Sequence, residues 1–253
     1  MRKAFPIVVL VLTLFPLLVV ALLSLKTGDP ETPSWSLEWY QKAFQDIRFR
    51  EALTNSLVLS VLTALPATFL AFLLAVATWN SNRRTLVVIL ILLWGIIPPA
   101  VQGVMFATVI NVSGWYALDY PIYVLSMVLG VLPYCTLIVL ATLATFDQNL
   151  IAAGRDLGVD DRVILRKVVL PLSIPGLMNS TVLAFLLAVN EYAKTFFLSG
   201  SDTYISEMMV GKLRSGADPS IYAAGGLNIL LAGFFIVVFY VGDKFLNRGR
   251  SMV

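Results

Sequence analysis

The residue types that most often carry chemistry in proteins are scarce in this chain. Its 253 residues include no histidine, which removes the commonest metal ligand and the usual general base. Cys135 is the sole cysteine and lies in an apolar run, so we expect no disulfide within one chain and no cysteine metal cluster. The phosphate-binding pattern GxxxxGK[ST] is absent. We therefore expect this chain to be no enzyme and to bind no metal or cofactor of its own.

Charged side chains form one prominent group, in the run LIAAGRDLGVDDRVILRKVVLPLSIP from Leu150 to Pro175. The run lies between two long apolar stretches. Its basic and acidic members are Arg155, Arg162, Arg166, Lys167, Asp156, Asp160 and Asp161. A group of this kind favours contact with a polar surface outside the bilayer.

The same run has the spacing of a helix. Its apolar stripe, at positions i, i+3, i+4 and i+7, consists of Leu150, Ala153, Gly154 and Leu157. Gly158 is well placed to end this helix, and Asp160 or Asp161 can cap a second helix, which we expect Pro171 to close. The pattern predicts a short helix with a small-residue face that docks onto another surface.

The composition places the chain in a membrane. It is 58% hydrophobic and only 13% charged, with a mean hydropathy of +0.86, whereas soluble domains carry about a quarter charged residues. Six uncharged windows reach the length of about 20 residues that a spanning helix needs. They are Ala4–Leu25, Ala52–Asn82, Thr85–Leu118, Tyr120–Phe146, Val168–Asn190 and Pro219–Gly242. We predict an all-α polytopic membrane protein with six transmembrane helices, forming a single domain over residues 1–253.

Lysine and arginine predict the orientation of these helices. With the N-terminus in the cytoplasm, the inner segments carry most of the basic residues: Arg2, Lys3, Arg83, Arg84, the four in the charged run, Lys244, Arg248 and Arg250. Residues 26–51 and 200–220 are then outer segments, and residues 147–175 are cytoplasmic. The first window is too long for a signal peptide, and we interpret it as a retained anchor. The outer segment 26–51 predicts an aromatic belt with a short interfacial helix or, alternatively, a contact surface for an external partner.

A helix break is predicted in the third window. Pro98 and Pro99 remove two backbone donors, and in a bilayer the freed carbonyls must be satisfied by neighbours or by a water-lined cavity. Gln102 lies beside the break. We expect either a structural kink, with Gln102 bonded to a neighbouring helix, or part of a transport path.

The end of the fifth window carries ionisable groups, in the sequence that begins at Asn190. Glu191 and Lys194 are three residues apart, so on a continuous helix they share a face and can pair. Such groups are costly near a bilayer and usually face protein or water. They form either a structural pair near the outer interface or a gate that contacts substrate.

The charged run also resembles a known family signature. Its Ala152–Gly158, followed by nine residues and then Val168–Pro171, is similar to the EAA motif of permease subunits of ABC importers. The glycine, the spacer and Leu170–Pro171 match. Ala152 replaces the motif's glutamate and Gly154 replaces its second alanine. Three further features also look like this family: the span number, the segment Ser36–Tyr40 and the Pro98–Pro99 break. The resemblance therefore covers most of the chain.

This resemblance implies a role for the predicted docking helix. It would be the cytoplasmic coupling helix between helices 4 and 5, which docks on a separate ATPase subunit that binds ATP and magnesium. The contact residues it implies are Ala153, Gly154, Arg155, Asp156, Leu157, Gly158, Arg162, Arg166, Leu170 and Pro171. The implied partners are a second, different permease, two ATPase subunits and an extracytoplasmic substrate-binding protein, in lipid of a bacterial inner membrane, with no nucleic acid. Candidates for the translocation path or gate are Pro98, Pro99, Gln102, Asn190, Glu191 and Lys194.

The substrate is less determined by the sequence. The segment from Asn190 to Leu231 looks similar to the second permease of polyamine-type importers, while permeases for aminoethylphosphonate, ferric iron and sugars share the layout. A small polar substrate is expected in each case. A secondary transporter driven by an ion gradient is the alternative class, and it would need carboxylates in mid-membrane and an internal repeat. Glu191 is the single candidate carboxylate within a span, and we find no repeat.

Overall fold

A computed structural model describes residues 4–27, 34–79, 81, 84–147, 149–216 and 220–250. Within these ranges the chain is predominantly helical, as the sequence predicts. Some residues used to predict the orientation lie outside the described residues: Arg2, Lys3 and Arg83.

Twelve α-helices follow one another in the described part of the chain. They are α1 (Ala4–Leu25), α2 (Glu38–Gln45), α3 (Ile47–Trp79), α4 (Arg84–Ile96), α5 (Pro99–Ser113), α6 (Asp119–Ala144), α7 (Asn149–Asp156), α8 (Asp161–Ile164), α9 (Leu170–Val189), α10 (Ala193–Leu198), α11 (Ile205–Arg214) and α12 (Ser220–Arg250). A 3-10 turn (Tyr116–Leu118) precedes α6, and a π-helical turn (Leu165–Val169) joins α8 to α9. Strands β1 (Lys26–Thr27) and β2 (Ser34–Trp35) pair antiparallel.

Each predicted window coincides with a long helix or a bent helix pair. Three helical stretches are long and apolar enough to cross a bilayer: Ile47–Trp79, Tyr116–Ala144 and Asp161–Val189. Helices α4 and α5 pass the same test only when they are taken together. This pair is bent by 90° at the break. Val11–Leu25 and Ile221–Phe235 are shorter apolar helices. The total of six spans therefore stays a prediction.

The described residues divide into two compact units. The first combines the chain up to Asn55 with Asp202–Val241. Within it, the Tyr40 hydroxyl donates to the Ser24 hydroxyl at 2.9 Å. A Cβ at Gly226 would overlap this tyrosine oxygen, so the glycine allows α12 to approach α2 closely.

The second unit contains Ser56–Ser201 and the last residues of α12 from Gly242. Its centre is α6, which packs against α4, α5, α9 and α10. Gly176 of α9 lies where a Cβ would overlap the side chain of Thr142 on α6, so these helices approach closely. The Thr181 hydroxyl donates to the Thr68 hydroxyl at 3.1 Å and thereby joins α9 to α3.

Two sequence expectations differ from the structure. Pro171 does not close the second helix of the charged run, because Asp161–Val189 is continuous. A proline ring clashes with the carbonyl four residues earlier in a regular helix, and the wider π-helical turn just before it changes that spacing. The second difference concerns residues 200–220, predicted to be an outer segment: no helix was predicted there, but they include α11.

Candidate functional site: the α7–α8 surface and the buried Lys194 cluster

Helix α7 forms where the apolar spacing predicts a helix. Its first turn is held by Asp147, whose carboxylate accepts from the backbone N–H of Asn149 at 2.9 Å. None of the α7 residues is buried within this chain. An eight-residue helix without a buried side is too short to be stable from backbone hydrogen bonds alone, so α7 depends on its end caps and on contacts with other elements.

Gly158 ends α7 through its backbone conformation. Its φ is +72°, in the left-handed region that favours glycine. The N–H of Gly158 donates to the carbonyl of Arg155 at 2.9 Å, and the N–H of Val159 donates to the carbonyl of Gly154 at 3.1 Å. This pair of hydrogen bonds is a Schellman motif. A Cβ at Gly158 would meet nothing within 4 Å, so strain rather than crowding inside the chain restricts this position.

The side chains of α7 also meet α8. A Cβ at Gly154 would lie 3.1 Å from Cδ1 of Ile164, so this glycine accommodates α8 within the same chain. The Nε of Arg155 donates to Oδ1 of Asp161 at 2.8 Å, and Nη2 approaches Oδ2 at 3.4 Å. The hydrogen bond and the charge of Asp161 raise the pKa of Arg155. Asp160 caps α8 by accepting from the N–H of Arg162 at 2.7 Å.

The remaining predicted contact residues are all exposed. Leu157 is 82% exposed, although it is a large aliphatic side chain. The other exposed members of the group are Ala153, Asp156, Arg162, Arg166, Leu170 and Pro171. Trp79, Arg155 and Arg162 are among the residues that line a cleft of about 430 Å³. We use the name α7–α8 surface for the exposed residues given above. This surface combines one prominent apolar side chain, Leu157, with charged neighbours.

The Pro98–Pro99 break is held by Gln102. Pro98 has no N–H to donate to the carbonyl of Trp94, four residues earlier. The Nε2 of Gln102 donates instead to this carbonyl and to that of Ile97, at 3.0 Å each. Gln102 is 2% exposed. The expected kink is present, but Gln102 does not bond to a neighbouring helix: its two acceptors are the carbonyls of Trp94 in α4 and of Ile97 in the break itself.

The pair Glu191–Lys194 does not lie on a continuous helix. Helix α9 ends at Val189, Asn190 is exposed, and Glu191 falls in the break before α10. The carboxylate of Glu191 accepts from the backbone N–H of Lys194 at 3.2 Å, so it caps the start of α10. The structure thus differs from the expectation that the two side chains share one helix face. The break is the physical reason, because it removes the helical spacing that would align them.

Lys194 points into the bundle. It is 3% exposed, and its Nζ donates to the carbonyl of Ser126 on α6 at 3.2 Å. A Cβ at Gly130 would overlap this ammonium nitrogen and would lie 3.3 Å from Oε1 of Gln102. We call Gln102, Ser126, Gly130 and Lys194 the Lys194 cluster.

Sequence reasoning missed Ser126 and Gly130. Both lie within an uninterrupted apolar window, where a serine or a glycine is ordinary, and nothing near them signals a charged partner. Tyr123 was missed for the same reason; its hydroxyl donates to the hydroxyl of Thr195 on α10 at 2.8 Å. These contacts depend on residues far apart in the sequence.

Known proteins are similar to this chain over most of its length. The family model described as "Binding-protein-dependent transport system inner membrane component" matches residues 56–251. The spermidine/putrescine transport system permease protein PotC of Haemophilus influenzae is 26% identical over 244 residues, covering 94% of both chains. The putrescine transport system permease protein PotI of Escherichia coli K12 is 24% identical over 250 residues, covering 93% of this chain and 87% of that protein.

Solved structures share the fold. A bacterial ABC transporter for import of the acidic polysaccharide alginate has a chain with a TM-score of 0.71 and 18% identity, covering 98% of this chain and 94% of that chain. A chain of the inward-facing MetNI methionine ABC transporter gives a TM-score of 0.61 at 16% identity, covering 80% of this chain and 98% of that chain.

Proposed function

We propose a specific role for this chain from one premise: it belongs to the family of binding-protein-dependent transport system inner membrane components, the permease subunits of ABC importers. Members of this family are membrane permeases and are not themselves enzymes. In our proposal, the chain forms one half of a translocation path with a second, different permease. Two ATPase subunits supply the energy, and an extracytoplasmic binding protein delivers the substrate.

The observation that carries the coupling role is the α7–α8 surface. Helix α7 has a Schellman end at Gly158, a charged tie to α8 through Arg155, and Leu157 projecting away from the chain. An aliphatic side chain that is 82% exposed beside charged groups suits an anchor that enters a pocket of a partner. We therefore assign this surface to contact with the ATPase subunit, where ATP and magnesium would be bound. Ala152, which replaces the motif's glutamate, is exposed and carries no part of this argument.

Our proposed substrate is a polyamine. It rests on the two relatives whose names specify spermidine or putrescine and whose sequences align with almost the whole of this chain. Acidic residues on the predicted outer side, including Asp202 and Glu207, are compatible with a cationic substrate. We place both termini in the cytoplasm and the chain in a bacterial inner membrane, from the distribution of lysine and arginine.

The test uses the complete complex in proteoliposomes, loaded with ATP on the ATPase side, and measures uptake of radiolabelled putrescine with the binding protein. We expect uptake that requires ATP and the binding protein. We also expect Gly158→Val to lower uptake at least about ten-fold, because a β-branched residue disfavours a φ of +72° and alters the end of α7.

Gly114→Val is the matched control. Gly114 also ends a helix, its φ is +70°, and it too has open space around a Cβ. It lies at the end of α5, away from the α7–α8 surface. Equal loss of uptake in both variants, or full uptake in Gly158→Val, would contradict the coupling role. Uptake driven by an ion gradient without ATP would contradict the importer itself.

A further inference from the structure

The Lys194 cluster joins two helix breaks that are distant in the sequence. One is the 90° bend between α4 and α5, which Gln102 holds. The other is the break between α9 and α10, which Glu191 caps. Helices α5 and α10 approach each other so closely that a Cβ at Gly103 would lie 3.2 Å from the Cα of Lys194. A shift of α10 towards α5 must therefore displace α5.

The ammonium group of Lys194 lies where a charge is costly. It is buried by residues of this chain alone, and burying an ammonium group is tolerated only with acceptors at hand. The carbonyl of Ser126 provides one acceptor. Among the described residues, Oε1 of Gln102 is a buried acceptor without a hydrogen-bond partner. It lies 3.3 Å from the position that a Cβ at Gly130 would take, and the ammonium nitrogen overlaps that same position. A displacement of either side chain would therefore change the distance between the ammonium group and this unpaired oxygen.

A continuous helix connects the cluster to the opposite end of the unit. The stretch Asp161–Val189 runs without interruption from the α7–α8 surface to the break before Lys194. At 1.5 Å per residue, its 29 residues extend about 44 Å. Displacement of α8 by a docked partner would therefore reach the break before α10 as a movement of one helix, and residues 190–192 would pass it on to α10.

We infer that Lys194 is a positioning residue that transmits movement from the α7–α8 surface to the α4–α5 bend, with Gln102 as its neighbour across Gly130 and Gly130 as the space that admits the ammonium group. This inference rests on the proposed function and deepens it. Helix α5 turns about the Pro98 break when α9 moves α10, and the Lys194 cluster fixes the two helices to one another.

The test is a distance measurement by pulsed electron spin resonance on the assembled complex. Spin labels at Val112, near the end of α5, and Leu125, on α6, report rotation of α5; these residues are 84% and 48% exposed. Cys135→Ala removes the native thiol. We expect the label distance in the wild-type background to change between the nucleotide-free state and the state trapped with ATP and vanadate.

The decisive variant is Gly130→Ala, whose methyl group displaces the ammonium of Lys194. We expect the nucleotide-dependent distance change to be lost while ATP hydrolysis remains within about two-fold of wild type. Gly233→Ala is the matched control, because Gly233 also lies inside a long helix but has open space for a Cβ. It should leave the distance change intact.

A double variant separates transmission from simple misfolding. Lys194→Met shortens the side chain by one heavy atom, the ammonium nitrogen, and so removes its charge and its donors. We expect Lys194→Met alone to abolish the distance change and Gly130→Ala to have no further effect in that background, since the overlap is then relieved. An unchanged distance response in Gly130→Ala or Lys194→Met, or no response in the wild-type complex, overturns the inference. A normal response without putrescine uptake would leave the inference standing and contradict only the proposed substrate.

Discussion

The α7–α8 surface and the Lys194 cluster use the same kinds of residues in opposite ways. In the first, the ion pair between Arg155 and Asp161 is exposed and Leu157 projects from the chain. In the second, Gln102 and Lys194 are almost completely buried, and their polar atoms face other helices of the same unit. Glycine has a different use in each region: Gly158 supplies a left-handed backbone conformation, whereas Gly130 supplies space.

This difference agrees with the proposed role. Exposed charge pairs contribute little to stability, so in that role the α7–α8 surface would gain its main energy when the ATPase subunit covers it. The Lys194 cluster is already covered, and loss of one of its members leaves a buried polar group without a partner. Substitutions in the cluster should therefore affect the isolated chain, while those on the surface should affect only the complex.

The largest effect on the isolated chain is expected for Gln102→Leu. This substitution removes the Nε2 donor that the two carbonyls share. The carbonyl of Trp94 keeps the N–H of Ile97 at 3.3 Å, whereas the part-buried carbonyl of Ile97 loses its donor. One unsatisfied carbonyl costs about 1–3 kcal/mol. Thermal unfolding of the purified chain in detergent should show a clearly lowered midpoint. Asn111→Leu, an exposed position on the same helix, is the control and should leave the midpoint unchanged. Equal midpoints for the two variants would mean that Gln102 does not hold the bend.

A smaller effect, confined to the complex, is expected for Leu157→Ser. Covering a leucine side chain contributes about 1.5–3 kcal/mol, so its loss should weaken association with the ATPase subunit about ten-fold or more. Titration of the ATPase subunit onto the permease in nanodiscs measures this affinity. Val112→Ser is a matched control, because Val112 is 84% exposed and lies on α5. A loss of affinity in Val112→Ser alone would place the docking surface elsewhere.

The smallest effect is expected for Arg155→Met, which keeps the aliphatic stem and breaks the exposed ion pair with Asp161. The thermal midpoint should not change measurably, and ATPase-coupled uptake should fall by less than about three-fold at low salt. High salt should reduce the difference further, because it screens exposed charges.

The charge reversal Arg155→Asp with Asp161→Arg should restore uptake if the pair sets the angle between α7 and α8. Failure of this rescue would indicate that Arg155 contacts the partner directly.

Local sequence patterns predicted much of the α7–α8 surface. The spacing of Leu150 to Leu157 predicted α7, and Gly158 and Asp160 predicted its end and the cap of α8, because these features depend on a few consecutive residues. Pro98 and Pro99 likewise predicted the break, whereas Gln102 was expected to bond to a neighbouring helix and instead bonds to carbonyls of the bent pair itself. Pro171 was misleading, since a π-helical turn allows the helix to pass it.

The Lys194 cluster was less accessible from sequence. Lys194 and Glu191 were recognised as costly ionisable groups, but their partners were assigned from helical spacing that the break at Asn190 removes. Gly130 and Ser126 have no distinguishing neighbours in an apolar run. Their roles follow from the packing of α6 against α5 and α10, which tertiary structure alone determines. The assignment of contacts to the ATPase subunit stays a prediction.

Site-specific photo-crosslinking tests the central claim most directly. The photoreactive residue p-benzoylphenylalanine is placed at Leu157 in one variant and at the equally exposed Val112 in another, within the complete complex in membranes. We predict a covalent product with the ATPase subunit from position 157 and none from position 112. A product from position 112 alone, or no product from position 157 in a complex that hydrolyses ATP, would contradict the assignment of α7 as the coupling helix.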